Sequence, residues 1–229
     1  MRNATAWRLC VLAGLVAFII SWGFGQIPGL APCGPTPGGL GSIIGFELAN
    51  TPAVVAALFG AEPCRSRLIA AQIDGLWLDE LGFIPAYTAF LVLAAIAASR
   101  GRMRQAVVAM LLVAAISDEV EGLLMVGIMR ALPGSAAQLT QLWWAVHIKF
   151  GLLALATALI GLAILRAGGL WAMLFGIVVW VGGMAAIYGF GQLPGPIMMS
   201  AFTFAWLALL GTAIAASFAP GLFAGRSAR

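Results

Sequence analysis

Charge is what this chain has least of. Only 9% of its 229 residues are Asp, Glu, Lys or Arg, against roughly a quarter in soluble domains. With 62% hydrophobic residues, that scarcity excludes a water-soluble domain and indicates an integral membrane protein. Histidine is nearly absent too: His147 is the only one, so a multi-histidine metal site is excluded and no metal is expected. The three cysteines form no C-x-x-C, and neither G-x-S-x-G nor a phosphate-binding glycine loop occurs. No cofactor is expected. The pI near 9.5 does not point to nucleic acid. The arginines sit at the ends of apolar runs, as membrane topology places them, and no basic patch is interleaved with aromatics.

What the chain has is long apolar runs. Six can be drawn, at 7–24, 70–98, 105–129, 142–165, 170–188 and 197–218. Each approaches the ~20 residues a helix needs to cross a ~30 Å hydrocarbon core. Barrel strands would be shorter and would alternate. The fold class is therefore all-α, a polytopic bundle of about six spanning helices. If the N-terminus is cytoplasmic, Arg2, Arg8, Arg100, Arg102, Arg104, Arg166, Arg226 and Arg229 lie inside, and only Arg65, Arg67 and Arg130 outside. That split obeys the positive-inside rule with both termini cytoplasmic. The first run follows Arg2 and Arg8 as a signal peptide would, but no A-x-A-like site follows it, so it reads as a retained anchor.

The stretch 26–67 is the one sizeable external loop. Its Gly/Pro-rich part cannot be regular helix. Thr51-Pro52 is a cap residue followed by proline at the first helical position, so a short interfacial helix is expected after it. Cys33 and Cys64 share this loop, and its oxidising surroundings permit a disulfide between them. Cys10, in the first run, should be free. A heptapeptide repeats: Gly23-Phe24-Gly25-Gln26-Ile27-Pro28-Gly29 returns as Gly189-Phe190-Gly191-Gln192-Leu193-Pro194-Gly195. Both copies fall at the outer ends of runs that point the same way. Helix-stop chemistry explains the glycines and prolines but not the matching Phe and Gln. Duplication, or a shared role at the external mouth, remains open beside convergence.

Asp79, Asp118, Glu121 and Lys149 lie inside apolar runs, where each costs ~3 kcal/mol on insertion scales. At ~1.5 Å per residue, Asp79 lies ~14 Å below the outer surface, Asp118 ~10 Å, Glu121 ~6 Å and Lys149 ~10 Å. Three helices thus bring charge to one layer. Asp118 and Glu121 share a helix face, as do Gln72 and Asp79. Pro85 should kink the second run, and the Tyr87 hydroxyl needs a partner. Glu47 can join from the loop if Phe46 and Leu48 anchor that segment. Carboxylates outnumber the ammonium, so a proton or a cation must supply the balance. The alternative is an ion-pair network that only fixes packing. His147 reads as an interfacial residue beside Trp143 and Trp144, and most of the eight tryptophans as interfacial anchors. Gly182, Gly183, Ala185 and Ala186 suit close helix contact.

Phe46-Glu47-Leu48-Ala49, Leu78-Asp79 with Tyr87, Asp118-Glu119-Val120-Glu121 and Lys149-Phe150 together resemble a family of small bacterial integral membrane proteins. The likeness covers roughly residues 10–165. It departs at Gly122, where that pattern has Asn. The resemblance implies a four-helix core, residues 1–166, and a bacterial cytoplasmic (inner) membrane location; the remaining 167–229, read as a C-terminal transmembrane hairpin, lie outside the pattern. It names no reaction. Three functions follow from the residues. The first is binding or translocation of a small ligand, cation or proton near the outer face. The second is an acid/base enzyme acting on a lipidic or isoprenoid substrate. The third is an accessory subunit of a membrane complex. A duplicated pocket would favour transport, and a single closed apolar cavity ending at the carboxylates an enzyme. The expected partners are membrane lipid, a small-molecule or cation ligand, and an oligomer or complex partner, with no nucleic acid.

Overall fold

A chain in lipid must satisfy its backbone internally, and helices do so within one segment. A computed structural model describes residues 4–192 and 196–219, and among these there is no strand. The helices are α1 (Ala4–Phe24), α2 (Ser42–Glu47), α3 (Pro52–Phe59), α4 (Cys64–Leu78), α5 (Ile84–Ala98), α6 (Gly101–Arg130), α7 (Ala136–Leu165), α8 (Leu170–Gln192) and α9 (Pro196–Phe218). Among the described residues, five spans are long and apolar enough to cross a membrane: Ala4–Phe24, Cys64–Ala98, Ala136–Leu165, Leu170–Phe190 and Pro196–Phe218. Helix α6 matches α7 in length, 30 residues each, but carries Arg102, Arg104, Asp118, Glu119 and Glu121, which lower its hydropathy.

The helix starts are chemically marked. Thr51 accepts a hydrogen bond from the Val54 N–H at 3.3 Å, with Pro52 in the first turn of α3. At α7, Ser135 and Gln138 form a capping box. Gly101 opens α6 at φ +56°, a conformation glycine adopts without penalty. There Arg104 donates twice to the Ser99 carbonyl, at 3.0 and 2.8 Å.

Proline does act on the second run, though not as a simple bend. The segment Asp79–Phe83 is a turn of π-helix between α4 and α5, and the Ile84 N–H reaches back to the Asp79 carbonyl. Pro85 has no N–H for the preceding turn, so the backbone widens just ahead of it. Wide turns of this kind are frequent at functional sites.

Six long helices close a ring. In order, α1 packs on α5, α5 on α6, α6 on α7, α7 on α8, α8 on α9, and α9 back on α1. Outward-facing Leu12, Ile19, Trp22, Leu81, Leu123 and Phe204 are exposed, as a lipid-facing surface requires. Of the tryptophans, Trp7 is fully buried, while Trp22, Trp77, Trp143, Trp144, Trp171 and Trp180 are exposed. The buried Cys10 thiol is free and donates to the Phe90 carbonyl at 3.4 Å.

Helices α7 and α8 touch backbone to backbone. A Cβ on Gly161 would land on the Trp180 backbone, and one on Gly183 on the Ala158 backbone. Small residues allow that approach, so a bulky one must push the helices apart. Gly183→Leu is expected to cost about 1–3 kcal/mol or more by overpacking. It should show as a lower thermal midpoint of the detergent-solubilised protein, and an unchanged midpoint would refute the contact.

The loop 25–63 folds over one end of the ring. Cys33 and Cys64 are bonded, with Cα atoms 5.9 Å apart. Phe46 meets Phe59 edge to face at 5.0 Å, which joins α2 to α3. The Ser42 hydroxyl donates to the Leu30 carbonyl, and Gln72 of α4 donates to the Ser42 carbonyl at 2.9 Å. These ties hold α2 against the ends of α4, α6 and α7. At the exposed rim, the Ser66 hydroxyl and N–H donate to Glu62 and hold its carboxyl below the usual range.

Candidate functional site

Lys149 of α7 is buried, 4% exposed. Its ammonium is met by carboxylates from three directions. Glu47, at the last turn of α2, lies 3.0 Å away and Asp118 Oδ1 of α6 3.1 Å away. Glu121, one turn beyond Asp118, straddles the ammonium with Oε1 at 2.8 Å and Oε2 at 2.7 Å. The other oxygen of Asp118 accepts from the Tyr87 hydroxyl of α5 at 2.7 Å. Four elements are thus tied at one point, and Ser117 adds a hydrogen bond from α6 to the Ala145 carbonyl of α7 at 2.9 Å. The Phe150 ring lies 4.4 Å from the ammonium, a distance at which the ring face attracts a cation.

Asp79 is not part of that knot. It stands on the π-helical turn beside the cluster, and its side chain makes no hydrogen bond or ion pair among the described residues. Its carboxylate lines a cavity of about 670 Å³. Glu47, Tyr87, Asp118 and Lys149 form the same polar end of that cavity. The rest of the wall is apolar: Phe18 and Phe24 of α1, Ile27 and Leu30 of the loop, Ile43 of α2, Phe83, and Phe202 and Trp206 of α9. Ser21 of α1 and Thr203 of α9 are exposed on its rim.

Formal charge at this end is four carboxylates against one ammonium. In surroundings of low dielectric such an excess does not stand uncompensated. Burial pushes the Glu47 carboxyl above its ordinary range even though Lys149 pulls it the other way. The arrangement can hold a proton or a cation, and it can present a carboxyl and a phenol to a bound molecule. No three His, Cys, Asp or Glu side chains among the described residues are disposed to hold a metal ion. The carboxylates converge on the ammonium, which occupies the position a metal would need.

Glu80 fills the place left by Gly122. A Cβ on Gly122 would fall on the Glu80 carboxylate, so the π-helical turn supplies polarity where the resembling pattern has Asn. Charge at residue 80 alone could not have revealed this, because it depends on how the wide turn rotates the helix. The walls contributed by α9 were equally invisible. Phe202 and Trp206 carry no polar signal, and the Trp206 indole N–H donates to Thr157 of α7 at 3.2 Å.

The repeated heptapeptide touches the site twice. In the first copy α1 ends at Phe24, whose ring meets Phe83 at 5.7 Å, and Phe83 meets Tyr87 at 5.3 Å. In the second copy Phe190 packs on Phe150 at 6.0 Å and on His147 at 4.5 Å. Here α8 runs on to Gln192, and 193–195, with the second proline, lie outside the described residues. His147 stacks on Trp143 at 3.6 Å and bonds its carbonyl at 2.7 Å, away from Lys149.

No protein-family model, curated protein or solved structure matches this chain.

Proposed function

We propose that this is a six-span protein of a bacterial cytoplasmic membrane that binds an amphiphilic ligand entering from the outer leaflet. Helix α6 is counted as the sixth span because it packs in the ring between α5 and α7 and buries Asp118 and Glu121 beside Lys149, which removes their cost in lipid, although Glu119 is exposed. Both termini lie on the cytoplasmic side, on the arginine distribution, and α2 and α3 sit at the outer surface as a cap. The observation that carries the reading is the continuity of one largely apolar cavity with a buried polar end. An apolar tail is recognised by the aromatic and aliphatic walls, and a polar head by Asp79 and its neighbours. The rim residues Ser21 and Thr203 mark the seam between α1 and α9 as the way in. Exchange of the ligand across or within the membrane would be its use.

A second reading has one observation in its favour. The cavity ends at carboxylates, with the Tyr87 phenol bonded to Asp118, which is how an acid/base enzyme acting on a lipidic substrate would be built. Mass spectrometry of lipids that co-purify with wild type and with Asp118→Asn tests both. Binding predicts a lipid enriched on wild type and depleted on the variant. Catalysis predicts that the enriched species is chemically converted on incubation with wild type. The same lipids at the same abundance on both proteins would reject the site.

A further inference from the structure

The side-chain donors around the cavity are already committed, apart from Ser21 at the rim. Lys149 directs its ammonium at Glu47, Asp118 and Glu121. The Tyr87 hydroxyl donates to Asp118, Ser42 to the Leu30 carbonyl, Thr203 to the Met199 carbonyl and the Trp206 indole to Thr157. Among the described side chains of the wall, Ser21 at the rim is the one hydroxyl without a fixed acceptor. The acceptors are in surplus. The Asp79 carboxylate, on the cavity wall, makes no hydrogen bond or ion pair among the described residues.

From this imbalance we infer that the ligand of the proposed cavity carries a protonated amine on an apolar tail. The inference rests on the cavity being a binding site, as proposed above, and adds what the head must be. An anionic head would meet Asp79, Asp118 and Glu47 with no cationic donor free to receive it, and like charges brought together in a buried site are costly. A neutral hydroxyl head brings one donor and leaves the formal charge as it was. An ammonium brings up to three donors and a positive charge, and hydrogen bonds between charged groups are the strong ones. On the wall next to that end, the Tyr87 ring meets Phe83 and Trp206, and Trp206 meets Phe202. Their faces favour a cation further. The cavity as a whole, about 670 Å³, lies within the ~300–1,000 Å³ typical of ligand pockets. Asp79 is the specificity-determining residue, because it is the one charged side chain on the cavity wall with no internal partner among the described residues.

The full-length protein in zwitterionic nanodiscs, titrated with radiolabelled dodecylamine and corrected with empty discs, tests the inference. Saturable one-to-one binding is expected, with unlabelled dodecanol and laurate competing at least about ten-fold less well than dodecylamine. Asp79→Asn should weaken amine binding about ten-fold or more, since it removes a charged hydrogen bond, while Asp79→Glu restores part of it. Elution of both variants as monodisperse protein controls for folding. If dodecanol or laurate competes as well as the amine, the cavity stands and the amine inference falls. If no amphiphile binds saturably, the cavity reading itself falls. If Asp79→Asn binds the amine as tightly as wild type, the role of Asp79 is overturned.

Discussion

Lys149→Met destabilises the protein by about 3–5 kcal/mol, the usual cost of removing one partner from a buried ion pair. The methionine matches the stem in length, so lost packing contributes little. What remains is Glu47, Asp118 and Glu121 aimed at one empty point. The loss depends on pH, and its sign follows from Glu47. Burial raises this carboxyl above 4.5 while Lys149 lowers it; without the ammonium, burial acts alone and the carboxyl rises further. A carboxyl raised in the folded state favours folding below its unfolded value and loses that contribution as pH climbs through the folded one. The deficit of Lys149→Met against wild type should therefore be smallest near pH 4.5 and grow toward pH 8. Thermal midpoints of both proteins across that range in one detergent check it. A deficit that shrinks as pH rises would show that the ammonium is not what compensates these carboxylates.

Cys64→Ser should cost about 3–4 kcal/mol, from the chain entropy released when a loop of this length is opened. The bridged cysteines are 31 residues apart, and the enclosed segment includes α2 and α3. Reductant should lower the midpoint of wild type toward that of the variant and leave the variant where it is. The effect reaches beyond the loop, because the bridged segment carries Glu47 to Lys149. Combining Cys64→Ser with Glu47→Gln should thus cost less than the sum of the two, as expected for groups that act through one contact. Strict additivity would mean that the bridge does not position Glu47.

The polar centre was the legible part of this chain. Lipid makes every charge conspicuous, so Asp118, Glu121 and Lys149 could be placed at one depth from helical rise alone. Glu47 followed from its flanking Phe46 and Leu48, and Tyr87 from a hydroxyl that needed an acceptor. The cavity was not legible. In a membrane helix the face toward lipid and the face toward a cavity are both apolar, so nothing in α1 or α9 marks Phe18, Phe202 or Trp206 as wall. The same limit applies to Asp79. Depth put it in the layer of the cluster, but its direction depends on the π-helical turn, and Pro85 signals only that the backbone must depart from ideal. The count of spanning helices shows the converse. The charges that make α6 informative are the ones that keep it out of the set of plainly apolar spans.

The closed ring of helices has a consequence for biosynthesis. Of the six ring helices α1 is made first and α9 last, yet the two are neighbours and share the cavity between them. Until α9 leaves the ribosome, the half-built protein presents Phe18, Phe24 and Tyr87 to the surrounding lipid along an open flank. Lipid is therefore the first occupant of that space, and the closing helix must either expel it or shut it in.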